Sequence, residues 1–236
     1  MIASVTGKCL PVLLASIKAY VPETVELFIA GPSEYLGNHR CFSYLNQATN
    51  YGDAYNFLAN KAFEYHDEII IANDDVVLTP DTYRLLDEDV KLLKMSYKIG
   101  WVTAKSDKVK SYQNIRFNAP STPFETQRVS PLFGYISRVA WIDYPPINWY
   151  SDDIQCIDMI NNGYRHFVSR AYVHHVGSQT IGEDENKNRL ASVPWIKQHR
   201  PELYDEWFLP PPSPYLLGRG WGWLKRVVNL TQNIKI

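Results

Sequence analysis

Asp67-Glu68-Ile69-Ile70-Ile71-Ala72-Asn73-Asp74-Asp75-Val76 decides how this chain is read. The unbroken apolar run predicts a strand buried on both faces, as in a parallel sheet. It ends in an amide and two adjacent carboxylates, and buried paired acids call for a positive partner. In open α/β sheets, ligands bind just past the carboxyl ends of the strands. Two acids at such a place suit a divalent cation that meets a diphosphate. The structural alternative is a strand that simply turns out into solvent.

Upstream, residues 2–6 read as a first strand, broken by Gly7-Lys8. Leu10, Leu13, Leu14 and Ile17 then repeat at helical spacing, with Pro11 in the tolerant first turn. Val25 to Ala30 reads as a second strand. Strand, helix and strand with short joints imply a right-handed crossover and a parallel pair. Asp53 is expected to cap a helix running to about Tyr65, with Tyr55, Leu58, Ala62 and Tyr65 as its buried stripe.

Downstream, Thr79-Pro80-Asp81 carries the signature of a helix start, followed by Leu85, Leu86, Val90 and Leu93. Ile99 to Ala104 reads as the next strand. Residues 105–128 are polar and read as a long loop, and Val129 to Ser137 as a strand. Ser151 is expected to cap a helix with Asp152 and Asp153 in its first turn, where the helix dipole favours carboxylates. Trp149 and Tyr150 before them suggest a pocket wall. A short strand over His166 to Ser169 comes next. An apolar stretch then ends in His174-His175 and enters Val176-Gly177-Ser178-Gln179-Thr180. Trp195 to Phe208 reads as one amphipathic helix, followed by a stiff Pro-rich linker and a Trp/basic tail over residues 218–228. That tail can pack on the protein, join a second subunit or lie peripherally on a membrane.

Of the 236 residues, 45% are hydrophobic and 14% aromatic, which describes a folded globular protein. The formal net charge of -1 supplies no global field for nucleic acid or anionic membrane. Cys9, Cys41 and Cys156 are scattered and odd in number, so reduced thiols in a cytoplasmic setting are the expectation. No signal peptide and no bilayer-spanning run are expected from the apolar pattern.

Five motifs in order resemble those of the inverting nucleotide-sugar glycosyltransferases of the A-type (GT-A) fold, the large family 2 group that includes rhamnosyl- and galactosyltransferases. They are Val5-Thr6-Gly7 at the first strand end, Asn50-Tyr51-Gly52 with Asn60 on the following helix, Asn73-Asp74-Asp75-Val76-Val77-Leu78-Thr79-Pro80-Asp81, Asp152-Asp153 at a helix start, and His175-Val176-Gly177-Ser178-Gln179-Thr180. The resemblance covers roughly residues 1–180. Two positions depart from the pattern: Asn73 opens the metal motif, and Gln155-Cys156-Ile157-Asp158 replaces an arginine-rich continuation.

The resemblance implies an α/β, Rossmann-like domain over residues 1–182 with a mostly parallel central sheet flanked by helices. Residues 1–104 would form its nucleotide-binding half, residues 105–182 its acceptor half, and residues 183–236 a C-terminal extension. It implies transfer of a sugar from a nucleoside-diphosphate sugar to a hydroxyl acceptor: a saccharide, a lipid-linked sugar or a modified nucleic-acid base. Asp75 and His175 would hold Mn²⁺ or Mg²⁺. Thr6, Gly7, Gly52, Asp53 and Asn60 would line the nucleoside pocket, and Asn73 and Asp74 would orient the ribose and Asp75. Asp153, with Asp152 as second choice, would be the general base. A non-catalytic nucleotide or sugar-binding module and, behind it, a nucleotidyltransferase are the alternatives.

Overall fold

The computed structural model describes residues 1–32, 41–109, 111–116, 121–176 and 185–209. The Gly177-to-Thr180 loop, the prolines beyond Leu209 and the Trp/basic tail lie outside these residues. The chain divides into two compact units, Met1–Ser192 and Val193–Ile236.

In the first unit the strands are β1 (Ile2–Ala3), β2 (Leu27–Gly31), β3 (Cys41–Leu45), β4 (Glu68–Asn73), β5 (Val76–Leu78), β6 (Ile99–Ser106), β7 (Phe124–Thr126), β8 (Phe133–Ser137) and β9 (Arg165–His175). Its helices are α1 (Leu10–Tyr20), α2 (Tyr51–Phe63), α3 (Thr82–Lys94) and α4 (Ser151–Asn161). The strands form one sheet of order β3-β2-β1-β4-β8-β6-β9-β5, with β7 on β9. Helices cover both faces. Leu10, Leu13, Leu14 and Ile17 of α1 and Leu86, Val90 and Leu93 of α3 pack in one core. Tyr55, Leu58 and Ala62 of α2 and Cys156 and Met159 of α4 pack in the other. Each buried Leu, Ile, Val or Met among them contributes roughly 1.5–3 kcal/mol. That outweighs the few tenths expected of exposed pairs on α3 such as Arg84–Glu88 and Lys91–Asp87.

The βαβ expectation holds: β1 pairs parallel with β2 and with β4. Beyond β4 the sheet is mixed instead of mostly parallel. β8 enters antiparallel between β4 and β6, and β5 and β7 both run antiparallel to β9. The long apolar stretch also breaks. A turn at Asp74-Asp75 ends β4, and β5 leaves the β4 ladder to pair with β9.

Several local expectations shift. Asn50, not Asp53, caps α2: its Oδ1 accepts the Asp53 N–H at 2.8 Å, and its Nδ2 donates back to the Asp53 carboxylate at 2.6 Å. Tyr65, placed in the buried stripe, is 57% exposed because α2 ends at Phe63. α3 begins at Thr82, not beside Thr79, because the Thr82 hydroxyl takes the Thr79 N–H and donates to the Tyr172 carbonyl. Ser151 lies inside α4, whose cap is Tyr150 at φ 70°. His166 to His175 belongs to one continuous strand, β9. The 105–128 segment carries the end of β6, a 3-10 turn at Ser111–Gln113 and β7.

The expected Trp195–Phe208 helix is two: α5 (Glu185–His199) and α6 (Pro201–Phe208). Pro201 has no N–H to carry the first helix onward and sits instead at the start of the second. Among the described residues no helix is long and apolar enough to cross a membrane.

Candidate active site

The β5–β9 register decides the site. Val76 faces His175 and Val77 faces His174, so His175 is delivered to Asp75, the residue before β5. The His175 Nε2 lies 3.1 Å from Asp75 Oδ2, and both side chains are nearly buried. The Val176 N–H closes the corner on the Asp75 carbonyl at 2.9 Å. On its other side, His175 Nδ1 meets the Lys108 carbonyl at 2.7 Å. A carbonyl only accepts, so Nδ1 carries the proton.

In the neutral ring Nε2 therefore presents a lone pair to a carboxylate. Two acceptors at that distance need a cation between them or a second proton on the ring. Without metal the ring takes the proton. Burial pulls the His175 imidazole down, but the Asp75 carboxylate and the Lys108 carbonyl outweigh it and raise it above its usual value.

His174 points elsewhere: its Nδ1 lies 2.7 Å from Asp107 Oδ2. Asp107 Oδ1 also accepts the His175 N–H at 3.0 Å. Burial would raise Asp107, yet the His175 N–H and His174 hold its carboxyl below the usual range.

Asp74 and Asp75 are each 5% exposed. Asp74 Oδ2 accepts from Ser4 Oγ at 2.5 Å, and Ser4 Oγ accepts the Gly7 N–H at 3.0 Å. The acid of the β4–β5 turn thus fixes the loop after β1, where Gly7 sits at φ 71°. Thr6 Oγ1 accepts the Lys8 N–H at 3.4 Å, and Asn46 Nδ2 donates to the Ser4 carbonyl at 3.0 Å. Burial, then Asp74 and Asp75, push the Cys9 thiol up, which places α1's start beside the acids and disfavours a thiolate there. Asn73 Oδ1 receives a long bond of 3.4 Å from the Tyr55 hydroxyl.

A second acidic patch opens α4. Asp152 is half-buried and its Oδ1 accepts the Asp153 N–H at 3.0 Å. Asp153 is 4% exposed, with Arg128 Nη1 3.9 Å from its Oδ1. α2 ties this patch to the sheet. Tyr51 N–H donates to Asn148 Oδ1 at 2.8 Å, and Asn56 holds the Tyr144 backbone by two bonds of 2.8 and 2.9 Å. Gly52 lies so close to Pro145 that a Cβ there would meet the Pro145 carbonyl oxygen at 1.9 Å. The Tyr51 phenol is pushed up by burial, then by Asp152, with Asp75 adding to it, so both acidic patches act on one hydroxyl.

Asp53 is exposed and engaged with Asn50, and Asn60 is exposed further along α2. Tyr150 is the one non-glycine residue at positive φ among the described residues, a strained conformation of the kind that gathers at functional sites. Reading from the sequence missed Ser4, Asp107, Lys108 and Arg128. Asp107 was open to discovery, since like Asp74 it follows a buried strand; the others carry no local signal. Among the described residues no group of three or more His, Cys, Asp or Glu gathers as a metal site.

No protein-family model matches the chain, and no curated protein matches it. Solved structures do. S. aureus TarS residues 1–349 in complex with UDP-GlcNAc aligns with a TM-score of 0.56 at 13% identity, covering 83% of this chain and 66% of that one. The same TarS fragment without the sugar nucleotide aligns with a TM-score of 0.52 at 13% identity, covering 83% and 64%. GalNAc-T7 with UDP, GalNAc and Mn²⁺ aligns with a TM-score of 0.59 at 13% identity, covering 90% and 52%.

The fold is that of the A-type glycosyltransferases. The chain spans less than two thirds of each of these proteins. In this fold the Asp74-Asp75 turn stands at the carboxyl end of β4, in the central sheet.

Proposed function

We propose that the chain is a metal-dependent glycosyltransferase that moves a sugar from a nucleoside-diphosphate sugar to a hydroxyl acceptor with inversion. One observation carries the reading: with His175 Nδ1 held by the Lys108 carbonyl, His175 Nε2 and Asp75 Oδ2 converge at 3.1 Å on a place that takes a proton or a cation, at the strand ends of an A-type fold. Two protein ligands are few for a structural metal but suit Mn²⁺ or Mg²⁺, which keep positions for phosphates. The mixed carboxylate and imidazole set favours Mn²⁺. The similar structures carrying UDP-GlcNAc, or UDP with Mn²⁺, support a uridine donor.

Asp75 and His175 would hold the ion, and the ion would offset charge on the leaving diphosphate. Gly7 and Thr6, held by the Ser4–Asp74 link, would receive the nucleoside together with Asn60, Asp53 and Gly52, with Asn73 beside the ribose. Asp153 would take the acceptor's proton, with Asp152 as second choice. One base on the face opposite the leaving group gives a single displacement, and hence inversion. Residues 1–182 would form the catalytic domain and residues 183–236 its C-terminal extension.

Calorimetric titration of UDP with Mn²⁺, repeated with chelator, tests the metal site; equal affinity in both removes Asp75 and His175 from that role. A hydrolysis panel of nucleotide sugars separates an enzyme from a binding module.

A further inference from the structure

The strand-end site is rich in negative charge. Asp75 and Asp107 lie beside His175, Asp74 precedes Asp75 in the same turn, and the charges of Asp152 and Asp75 both act on the Tyr51 hydroxyl. A divalent ion held by one carboxylate and a neutral imidazole keeps a single net positive charge. A nucleoside diphosphate gains a further negative charge as the sugar bond breaks. Arg128 stands beside Asp153 on the α4 side. Lys8, on α1's approach, acts on Cys9.

Lys108 is placed differently. Its main-chain carbonyl holds His175 Nδ1 at 2.7 Å, while its ammonium donates to the Val176 carbonyl at 2.8 Å. Val176 directly follows His175 and bonds Asp75 through its own N–H. The ammonium is thus held on the residue that follows one candidate ligand and bonds the main chain of the other.

The two halves of Lys108 do separate things. The main chain orients the imidazole, and any residue type would supply that carbonyl. The side chain is exposed and its partner is a neutral carbonyl. Exchange of that partner for a phosphate oxygen replaces a neutral acceptor with a charged one, which adds the attraction of opposite charges to a bond the ammonium already makes. We propose that Lys108 is a diphosphate-binding residue whose ammonium leaves Val176 for the leaving phosphate. This rests on the glycosyltransferase reading above.

The test uses the full chain with Mn²⁺ and the variants Lys108→Met and Lys108→Arg. UDP and uridine are titrated by calorimetry, and Mn²⁺ alone by electron paramagnetic resonance. Lys108→Met is expected to weaken UDP roughly ten- to a hundredfold. It should leave uridine and Mn²⁺ binding unchanged, and Lys108→Arg should restore most of the UDP affinity. Unchanged UDP affinity in Lys108→Met overturns the proposal while leaving the transferase reading intact. So does a parallel loss of Mn²⁺ affinity, since the residue would then act by positioning His175. A wild-type chain that binds no UDP sinks the underlying reading and this proposal with it.

Discussion

Gly52→Ala is expected to destabilise the protein by about 3–5 kcal/mol. The added Cβ would sit 1.9 Å from the Pro145 carbonyl oxygen and 2.8 Å from its carbon, both main-chain atoms that no rotamer change can clear. α2 cannot back away cheaply, because Leu58 and Ala59 beneath it are fully buried. The 144–145 segment must therefore move, and with it go the two Asn56 bonds to the Tyr144 backbone. Two such bonds are worth roughly 1 kcal/mol each. Forcing a methyl into packed structure costs about 1–3 kcal/mol more.

Urea unfolding followed by tryptophan fluorescence measures the loss, and UDP titration under native conditions measures any separate effect on binding. A variant within about 1 kcal/mol of wild type refutes the steric argument. If it also lost UDP affinity, Gly52 would touch the nucleotide instead of the Pro145 carbonyl.

Other outcomes are expected elsewhere. Asp153→Asn should retain UDP binding while turnover drops roughly 10²–10⁴-fold; if turnover survives there and collapses in Asp152→Asn, the base is Asp152. His166 has no exposure; its Nδ1 accepts the Trp101 N–H and its Nε2 donates to the Cys156 carbonyl, each at 3.0 Å. Burial lowers its pKa, so the unfolded chain takes up the proton first, and stability falls as pH drops below about 6.5, by up to about 1.4 kcal/mol per unit. Denaturation series at pH 7.5 and 5.5 should show a shallower loss in His166→Gln, and equal slopes would count against the buried neutral ring. Asp89 accepts three bonds of 2.7 Å from Ser169 Oγ, Arg170 N–H and Arg170 Nε. Asp89→Ala should cost about 3 kcal/mol by stranding a half-buried guanidinium; a midpoint shift worth less than 1 kcal/mol would show that Glu88 suffices as its partner.

Local patterns were legible where local forces act. The helical spacing of Leu10, Leu13, Leu14 and Ile17 matches α1, and the β1–α1–β2 unit is parallel as read. Asp152 and Asp153 do stand in the first turn of α4. What failed were choices that distant partners make. Nothing near Asp53 says that Asn50 takes the cap, and nothing near Thr79 says that the Thr82 hydroxyl will bond the Tyr172 carbonyl ninety positions away. Residues 124–126 lack an apolar run and become a strand only because β9 offers its edge.

The chain's own order of residues determined that an acid pair would end a buried strand, that a second acid pair would open a helix, and that two histidines would close a third element. Those are consequences of period and polarity along a few neighbours. Only the tertiary structure decided which histidine meets which acid. Antiparallel pairing of β5 on β9 sets Val76 against His175, and a slip of one residue would have presented His174 on the opposite face. Register is a property of two strands some hundred residues apart, fixed by packing on both faces of the sheet, and no stretch of sequence holds it alone.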